Sequence, residues 1–162
     1  MREVGGVRGE GGGHAVVRLV RGVVLSVVLS LILSGCMSGE ERRAAMRRNE
    51  AAAAQVQAEL ARRPDVVRAE VDYSNYITAP GAASANIAVK PGRDFEPVID
   101  AAVRLFWQSR ISPLKSIRIG IVDAADKHRG EIRYFDPFKE DRAALEAKYG
   151  PRPVPEEEWI QR

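Results

Sequence analysis

The stretch Ser116-Ile117-Arg118-Ile119-Gly120-Ile121-Val122 is the clearest strand pattern in the chain. Its three isoleucines recur at every second position, so in an extended strand they lie on one face of a sheet. A polar loop follows, and residues 131–135 are the predicted hairpin partner of this strand. The stretch therefore predicts a strand with one buried face, and the rest of the fold can be worked out around it.

Upstream, the sequence predicts a second hairpin and a helix that joins the two hairpins. Residues 67–73 and 85–90 alternate in the same way on either side of a loop that contains Pro80-Gly81, which is typical of an antiparallel hairpin. Apolar residues then recur at helical spacing from Phe95 to Phe106. We expect a helix from Asp94, as its cap, to about Arg110.

Two further helices flank these elements. A thin apolar stripe precedes Pro64, where a helix must stop, and a last short helix is predicted between Asp136-Pro137 and Gly150. The order is then α-β-β-α-β-β-α. It predicts an α+β, two-layer sandwich, with a four-stranded, largely antiparallel sheet and helices on one face. Residues 46–150 form the single domain in this interpretation, between a tether at 36–45 and a Pro-rich acidic tail at 151–162.

The N-terminal residues have the layout of a secretory signal. Four arginines and only two acids precede a run of apolar and small residues from Gly22 to Leu33. This apolar core is about half of the ~20 residues that a membrane-spanning helix needs. We therefore expect residues 1–35 to be a signal peptide rather than a permanent transmembrane anchor.

The next residues indicate how the protein is held at a membrane. Leu33, Ser34, Gly35 and Cys36 resemble the lipobox of bacterial lipoproteins, in which Leu, a small residue and Gly or Ala precede a cysteine. The resemblance implies cleavage between Gly35 and Cys36 and an S-diacylglyceryl group on Cys36, with an N-acyl chain as an open alternative. Two acyl chains hold a protein at a membrane stably, whereas a single myristoyl chain does not.

The resemblance also implies a location, on the extracytoplasmic face of the cell membrane. Arginine outnumbers lysine twenty to five, which suggests a GC-rich genome and, together with the lipobox, an actinobacterial lipoprotein. It implies nothing about the remainder of the chain, which resembles no family we can name from its motifs.

The charge of the chain argues against nucleic acid as a partner. The whole chain has a net charge of +3, but without residues 1–35 it keeps 21 basic and 20 acidic residues, a net charge of +1. A balanced charge lacks the electrostatic attraction on which nucleic-acid binding depends. Tyr73 and Tyr134 are expected to face inward with the apolar residues of their strands, away from any surface on which bases stack.

No catalytic site is recognisable in the sequence. Residues 36–162 contain one histidine, His128, and no Gly-x-Ser-x-Gly pattern, and an acylated Cys36 has no thiolate. Asp123, Asp126 and His128 are a thin metal-binding pattern, but the cations that flank His128 favour a polar turn instead. We predict a protein that is not an enzyme and that holds no metal and no cofactor.

Two tryptophans are the candidate partner contacts. Trp107 ends the central helix, where it either contacts a partner or packs against the sheet rim, and Trp159 either docks to a partner or folds back on the domain. We expect a membrane-anchored lipoprotein whose small domain binds an envelope protein or component. The alternatives are a ligand- or lipid-binding lipoprotein with a pocket between helix and sheet and, less favoured, an envelope hydrolase.

Overall fold

A computed structural model describes residues 39–154 of the chain. The predicted element order and the α+β class are confirmed. The helices are α1 (Gly39–Ala61), α2 (Glu96–Trp107) and α3 (Arg142–Tyr149), and the strands are β1 (Val66–Tyr76), β2 (Ala79–Val89), β3 (Ser116–Asp123) and β4 (Gly130–Phe135). None of these helices combines the length and the apolar character needed to cross a membrane.

The four strands form one sheet in the order β1-β2-β3-β4. The two predicted hairpins, β1 with β2 and β3 with β4, are antiparallel. The central strands β2 and β3 are parallel, in a register that runs from Ala82 opposite Ser116 to Val89 opposite Asp123. Parallel neighbours require a connection that crosses the sheet. Helix α2 makes that connection.

The described residues form one apolar core between the sheet and the helices. The three isoleucines of β3 are fully buried there, and the predicted stripe of α2 packs against the same core. Burial of an isoleucine or phenylalanine side chain stabilises the folded state by about 1.5–3 kcal/mol. The largest fully buried side chains are Trp107, Phe106, Leu60, Ile87, Ile111, Leu114, Ile117, Ile119 and Ile121.

Helix α1 joins this core through a narrow face and two polar contacts. Its buried side chains are small apart from Val56 and Leu60. The side chain of Asn49 is buried, donating from Nδ2 to Ser112 O (2.8 Å) and accepting at Oδ1 from Ser112 N (3.0 Å). Gln57 Oε1 accepts a hydrogen bond from Val71 N of the edge strand β1 (3.0 Å). The helix therefore satisfies backbone groups of the loop and the sheet edge as well as burying apolar surface.

Several helix boundaries differ from the predicted ones. Helix α1 begins inside the segment predicted to be a tether, and α2 ends three residues before Arg110. Asp94 Oδ1 accepts a hydrogen bond from Glu96 N (3.1 Å), although the cap position of α2 is Phe95. Helix α3 begins at Arg142 rather than at Asp136. The reason is that Asp136 Oδ1 accepts from the backbone N–H groups of Phe138 and Lys139, which shapes a turn before the helix.

The end of α2 is fastened to residues 150–154. Trp107 Nε1 donates to Gly150 O (2.7 Å), and the buried guanidinium of Arg152 donates from Nε to Trp107 O (3.1 Å) and from Nη2 to Ile111 O (2.6 Å). Burial lowers the pKa of Arg152 to about 10. The first four residues of the predicted tail are thus part of the domain.

We predict that Leu60→Ala destabilises the domain by about 2–5 kcal/mol, because it removes a fully buried side chain and leaves a cavity. Gln55→Ala, at an exposed position of the same helix, is the matched control and changes the free energy of unfolding by no more than about 0.5 kcal/mol. Urea denaturation of both variants measures the difference. A Leu60→Ala variant as stable as the control would mean that α1 is not part of the core.

Candidate functional site

No described residue covers the face of the sheet opposite the helices. This face is the candidate functional site. Strand pairing arranges its outward side chains in three rows, which run across all four strands. We call this surface the helix-free face. Its upper row is Arg68, Ala88, Val122 and Gly130; its middle row is Glu70, Asn86, Gly120 and Ile132; its lower row is Asp72, Ser84, Arg118 and Tyr134.

Charged residues occupy the β1 side of the helix-free face. Arg68, Glu70 and Asp72 alternate along the strand with inward side chains and are all exposed. Arg68 Nη2 donates to Glu70 Oε1 within the same strand. An exposed pair of this kind contributes little to stability, so these charges are available for recognition.

The centre of the face is built around a glycine. Arg118 Nη1 donates to Asn86 Oδ1 (3.0 Å), so the guanidinium of β3 lies across the neighbouring strand. A Cβ atom on Gly120 would lie 3.0 Å from Asn86 Oδ1 and 3.7 Å from Arg118 Nη1. The glycine therefore leaves the space that the Arg118–Asn86 contact occupies.

Apolar side chains occupy the β3 and β4 side. Val122, Ile132 and Tyr134 are 36%, 51% and 71% exposed. The prediction that Tyr134 faces inward is wrong. Strand β4 has apolar residues on both faces, and Arg133 points to the helix layer, where Nη2 donates to Glu96 Oε1 of α2 (2.6 Å).

Because Tyr134 is outward, the sheet exposes an aromatic side chain, and nucleic acid is no longer disfavoured on that ground. The balanced charge still disfavours it. Tyr73, by contrast, is half-buried on the helix side, where its hydroxyl donates to Pro113 O (2.9 Å). Burial of this hydroxyl raises the pKa of Tyr73 to about 12.

A shallow depression of about 450 Å³ lies on the helix-free face, towards the β3–β4 loop. Its lining includes Arg68, Arg118 and Ile132 from the strands and Lys127 and His128 from the loop. This surface was not predicted from the sequence. The signal was present, because the residues between the buried isoleucines of β3 are Arg118 and Gly120, which must face away from the core.

A smaller depression lies where α2, α3 and β4 meet, with a volume of about 230 Å³. Lys148 and Tyr149 both contact the Asp100 carboxylate at its rim. The hydrogen bond from Lys148 holds the pKa of Asp100 below its usual range, and it raises the pKa of Lys148. These groups neutralise one another, as in a structural ion pair.

Trp107 is not a surface contact, and this corrects the prediction of a partner contact there. Its side chain is fully buried, and its indole N–H is used by Gly150 O. The alternative prediction was packing against the sheet rim, and the structure instead buries Trp107 in the core of the domain. Trp159 and the lipobox residues Leu33, Ser34, Gly35 and Cys36 lie outside the described residues.

Hydrogen bonds of the thin metal-binding pattern close the loop between β3 and β4. The pattern consists of Asp123, Asp126 and His128. Asp123 Oδ2 accepts from Gly92 N (2.8 Å) and Arg129 Nη1 (2.9 Å), while Oδ1 accepts from Ala125 N (2.9 Å). Asp126 Oδ1 accepts from His128 N (2.9 Å), which is the turn that the sequence indicated. Within residues 39–154, no three His, Cys, Asp or Glu side chains are grouped as metal ligands.

One nucleophile pattern escaped the sequence analysis. Ser112 and Lys115 have the Ser-x-x-Lys spacing, but they lie in the loop before β3 and not on a helix, where that spacing brings two side chains together. The Lys115 ammonium lies over the Phe138 ring, 5.4 Å from its centroid. In a loop, the Ser-x-x-Lys spacing by itself is therefore no evidence of a catalytic pair.

A scan against family models, a search of curated proteins and a search of solved structures found no match to this chain. The lipobox resemblance and the geometry of the domain are therefore the features from which a function can be inferred.

We predict that Asp123→Asn lowers the urea midpoint at pH 7. Hydrogen bonds from the backbone N–H groups of Gly92 and Ala125 hold the pKa of Asp123 below its ordinary value of 3.8. A carboxyl with a lowered pKa contributes stability above its unfolded pKa and loses it as the pH falls through its folded pKa. The difference between variant and wild type should therefore narrow as the pH falls below 3.8.

The same two proteins test the loop-closure interpretation. If zinc or calcium raised the melting temperature of the wild type but not of Asp123→Asn, the carboxylate would be a metal ligand and the interpretation would be wrong.

Proposed function

We propose that this protein is a membrane-anchored extracytoplasmic lipoprotein whose small domain is a non-catalytic binding module for an envelope protein or component. The observation that carries the binding assignment is the helix-free face, on which a central arginine lies between charged and apolar exposed side chains. The anchor rests on the lipobox resemblance at residues 33–36.

The composition of the helix-free face favours a broad, flat partner. Its central strands carry the Arg118–Asn86 contact among small residues, and the exposed tyrosine and the arginines of the face belong to the residue types that most often dominate protein interfaces. The depression on this face is shallow and continuous with the sheet. Such a surface suits a macromolecule better than a small ligand, which prefers an enclosed cleft.

The ligand- or lipid-binding alternative requires a pocket between helix and sheet. Among the described residues, the depression where α2, α3 and β4 meet has a volume of about 230 Å³, below the ~300 Å³ at which small-molecule sites begin. Its charged groups are paired with each other. The helix-free face therefore favours a binding module for a macromolecule more strongly than this depression favours ligand or lipid binding.

Cys36→Ala tests the anchor. The chain has one cysteine, so this substitution removes every thiol that lipid could modify. We expect the variant to lose lipidation and signal cleavage in its native host, and to lose membrane retention through acyl chains. Mass spectrometry of the N-terminus and membrane fractionation measure both effects. A variant still processed before residue 36 and held at the membrane would contradict the anchor.

A photo-reactive amino acid tests the binding face in native membranes. Placed at Tyr134, it should form a cross-linked adduct with the bound partner. Placed at Ala54, which is exposed on α1 away from the sheet, it should not. Equal adducts at the two positions, or none at Tyr134, would overturn the assignment of the helix-free face.

A further inference from the structure

The helix-free face carries a charge pattern that is complementary to itself. Arg68 is positive in the upper row of β1, Glu70 and Asp72 are negative in the rows below, and Arg118 adds a positive charge on β3. These four charges cancel, so two copies of the face meet without net repulsion. We propose that the partner bound by this face is a second copy of the same chain.

The two copies pack face to face about a two-fold axis that crosses the strands at the middle row. Such an axis exchanges upper and lower rows and keeps each strand opposite its own copy. Arg68 of each copy then lies opposite Asp72 of the other, which forms two equivalent ion pairs. Stacked sheets lie about 10 Å apart, within the combined reach of an arginine and an aspartate.

The same two-fold rotation also brings complementary apolar residues of the two copies together. Tyr134 lies opposite Gly130, which has no side chain and so leaves room for the ring. A side chain at Gly130 is excluded by its own fold, since a Cβ atom there would lie 2.8 Å from Ile121 O. On the axis, Ile132 of one copy contacts Ile132 of the other. Val122 of each copy packs against the aliphatic part of Arg118 of the other copy.

Two other two-fold arrangements of this face are less favourable, and a third, with its axis between the upper and middle rows, would set Arg68 against Glu70 and is distinguished by the Asp72→Arg variant below. An axis displaced to lie between the middle and lower rows would place Glu70 against Asp72, two like charges. An axis parallel to the strands would place the charged side chains of β1 against Ile132 and Tyr134 of β4. In the proposed arrangement Glu70 meets its own copy, but each Glu70 is already hydrogen-bonded to Arg68 of its own chain.

The size of the face indicates where the dimer forms. Four strands and three rows cover on the order of 400 Å² per copy, about half of the ~800 Å² per partner of a standard stable interface. Two chains held by lipid on one membrane meet at a high effective concentration, which compensates for a small interface. The inference therefore rests on the proposed lipoprotein function, and its test uses the full chain in its own membranes.

Cysteine cross-linking at the axis is the first test. Membranes that contain the Ile132→Cys variant are treated with a short bis-maleimide reagent, which joins two thiols. We expect a covalent dimer. Ile77→Cys is the control, because residue 77 is fully exposed in the turn between β1 and β2, off the face. The unsubstituted chain, whose one cysteine is Cys36, is the blank. Absence of the dimer with Ile132→Cys, or an equal yield with Ile77→Cys, would overturn the proposal.

Charge reversal is the second test. In the Ile132→Cys background, Arg68→Asp should lower the cross-linked fraction several-fold because it sets two aspartates opposite each other, and Asp72→Arg should do the same with two arginines. The double variant restores the pairing with the signs exchanged and should restore the yield. A double variant as poor as either single variant would contradict the proposed axis. All of these positions are exposed, and thermal melts check that each variant folds.

The outcomes separate this inference from the function on which it rests. If Ile132→Cys gave no dimer while the photo-reactive residue at Tyr134 captured a different molecule, the second copy would be the wrong partner and the binding face would stand. If neither position gave an adduct, both assignments would fall.

Discussion

The parallel pairing of β2 with β3 is the constraint on which the rest of the structure depends. Parallel neighbours cannot be joined by a tight turn, so the chain between them has to cross the sheet, and α2 is that crossover. Its apolar stripe buries one face of the central strands, including the three isoleucines of β3. Helices α1 and α3 pack into the same core, so the three described helices occupy one side and leave the other face of the sheet uncovered.

This asymmetry divides the chemistry of the described domain. The helix side is filled by large apolar side chains and fastened by buried polar contacts, such as those of Arg152 and Asn49, which serve the fold. The helix-free face has the Arg118–Asn86 contact among small residues on its central strands, charges on β1 and exposed apolar groups on β4. A flat surface of this kind suits recognition of another macromolecule, and a self-complementary charge pattern makes a second copy a natural partner.

Much of the fold was predictable because β3 and α2 have clean periods of two and 3.6 residues. Strand adjacency was not, since no local pattern indicates that β2 and β3 are parallel neighbours. The prediction for Tyr134 was wrong because β4 has apolar residues on both faces. Its outward orientation goes with an ion pair between the inward Arg133 and Glu96 of α2, a contact between residues distant in sequence. Trp107 was predicted to lie at the edge of the helical stripe. Hydrogen bonds join it to Gly150 and Arg152, which are more than forty positions away in sequence, and no local pattern could indicate these contacts. The alternation of residues along the strands identifies the candidate site only when all the helices are known to lie on one face of the sheet.

Hydroxyl-radical footprinting of the two exposed tyrosines tests most directly whether the helix-free face is covered in its native setting. Tyr134 lies on that face, while Tyr76, which is similarly exposed, lies at the end of β1 near the hairpin turn. Oxidation of each is compared between native membranes and dilute purified protein. The account predicts that Tyr134 is protected in membranes while Tyr76 reacts equally in both. Equal oxidation of Tyr134 in the two settings would contradict it.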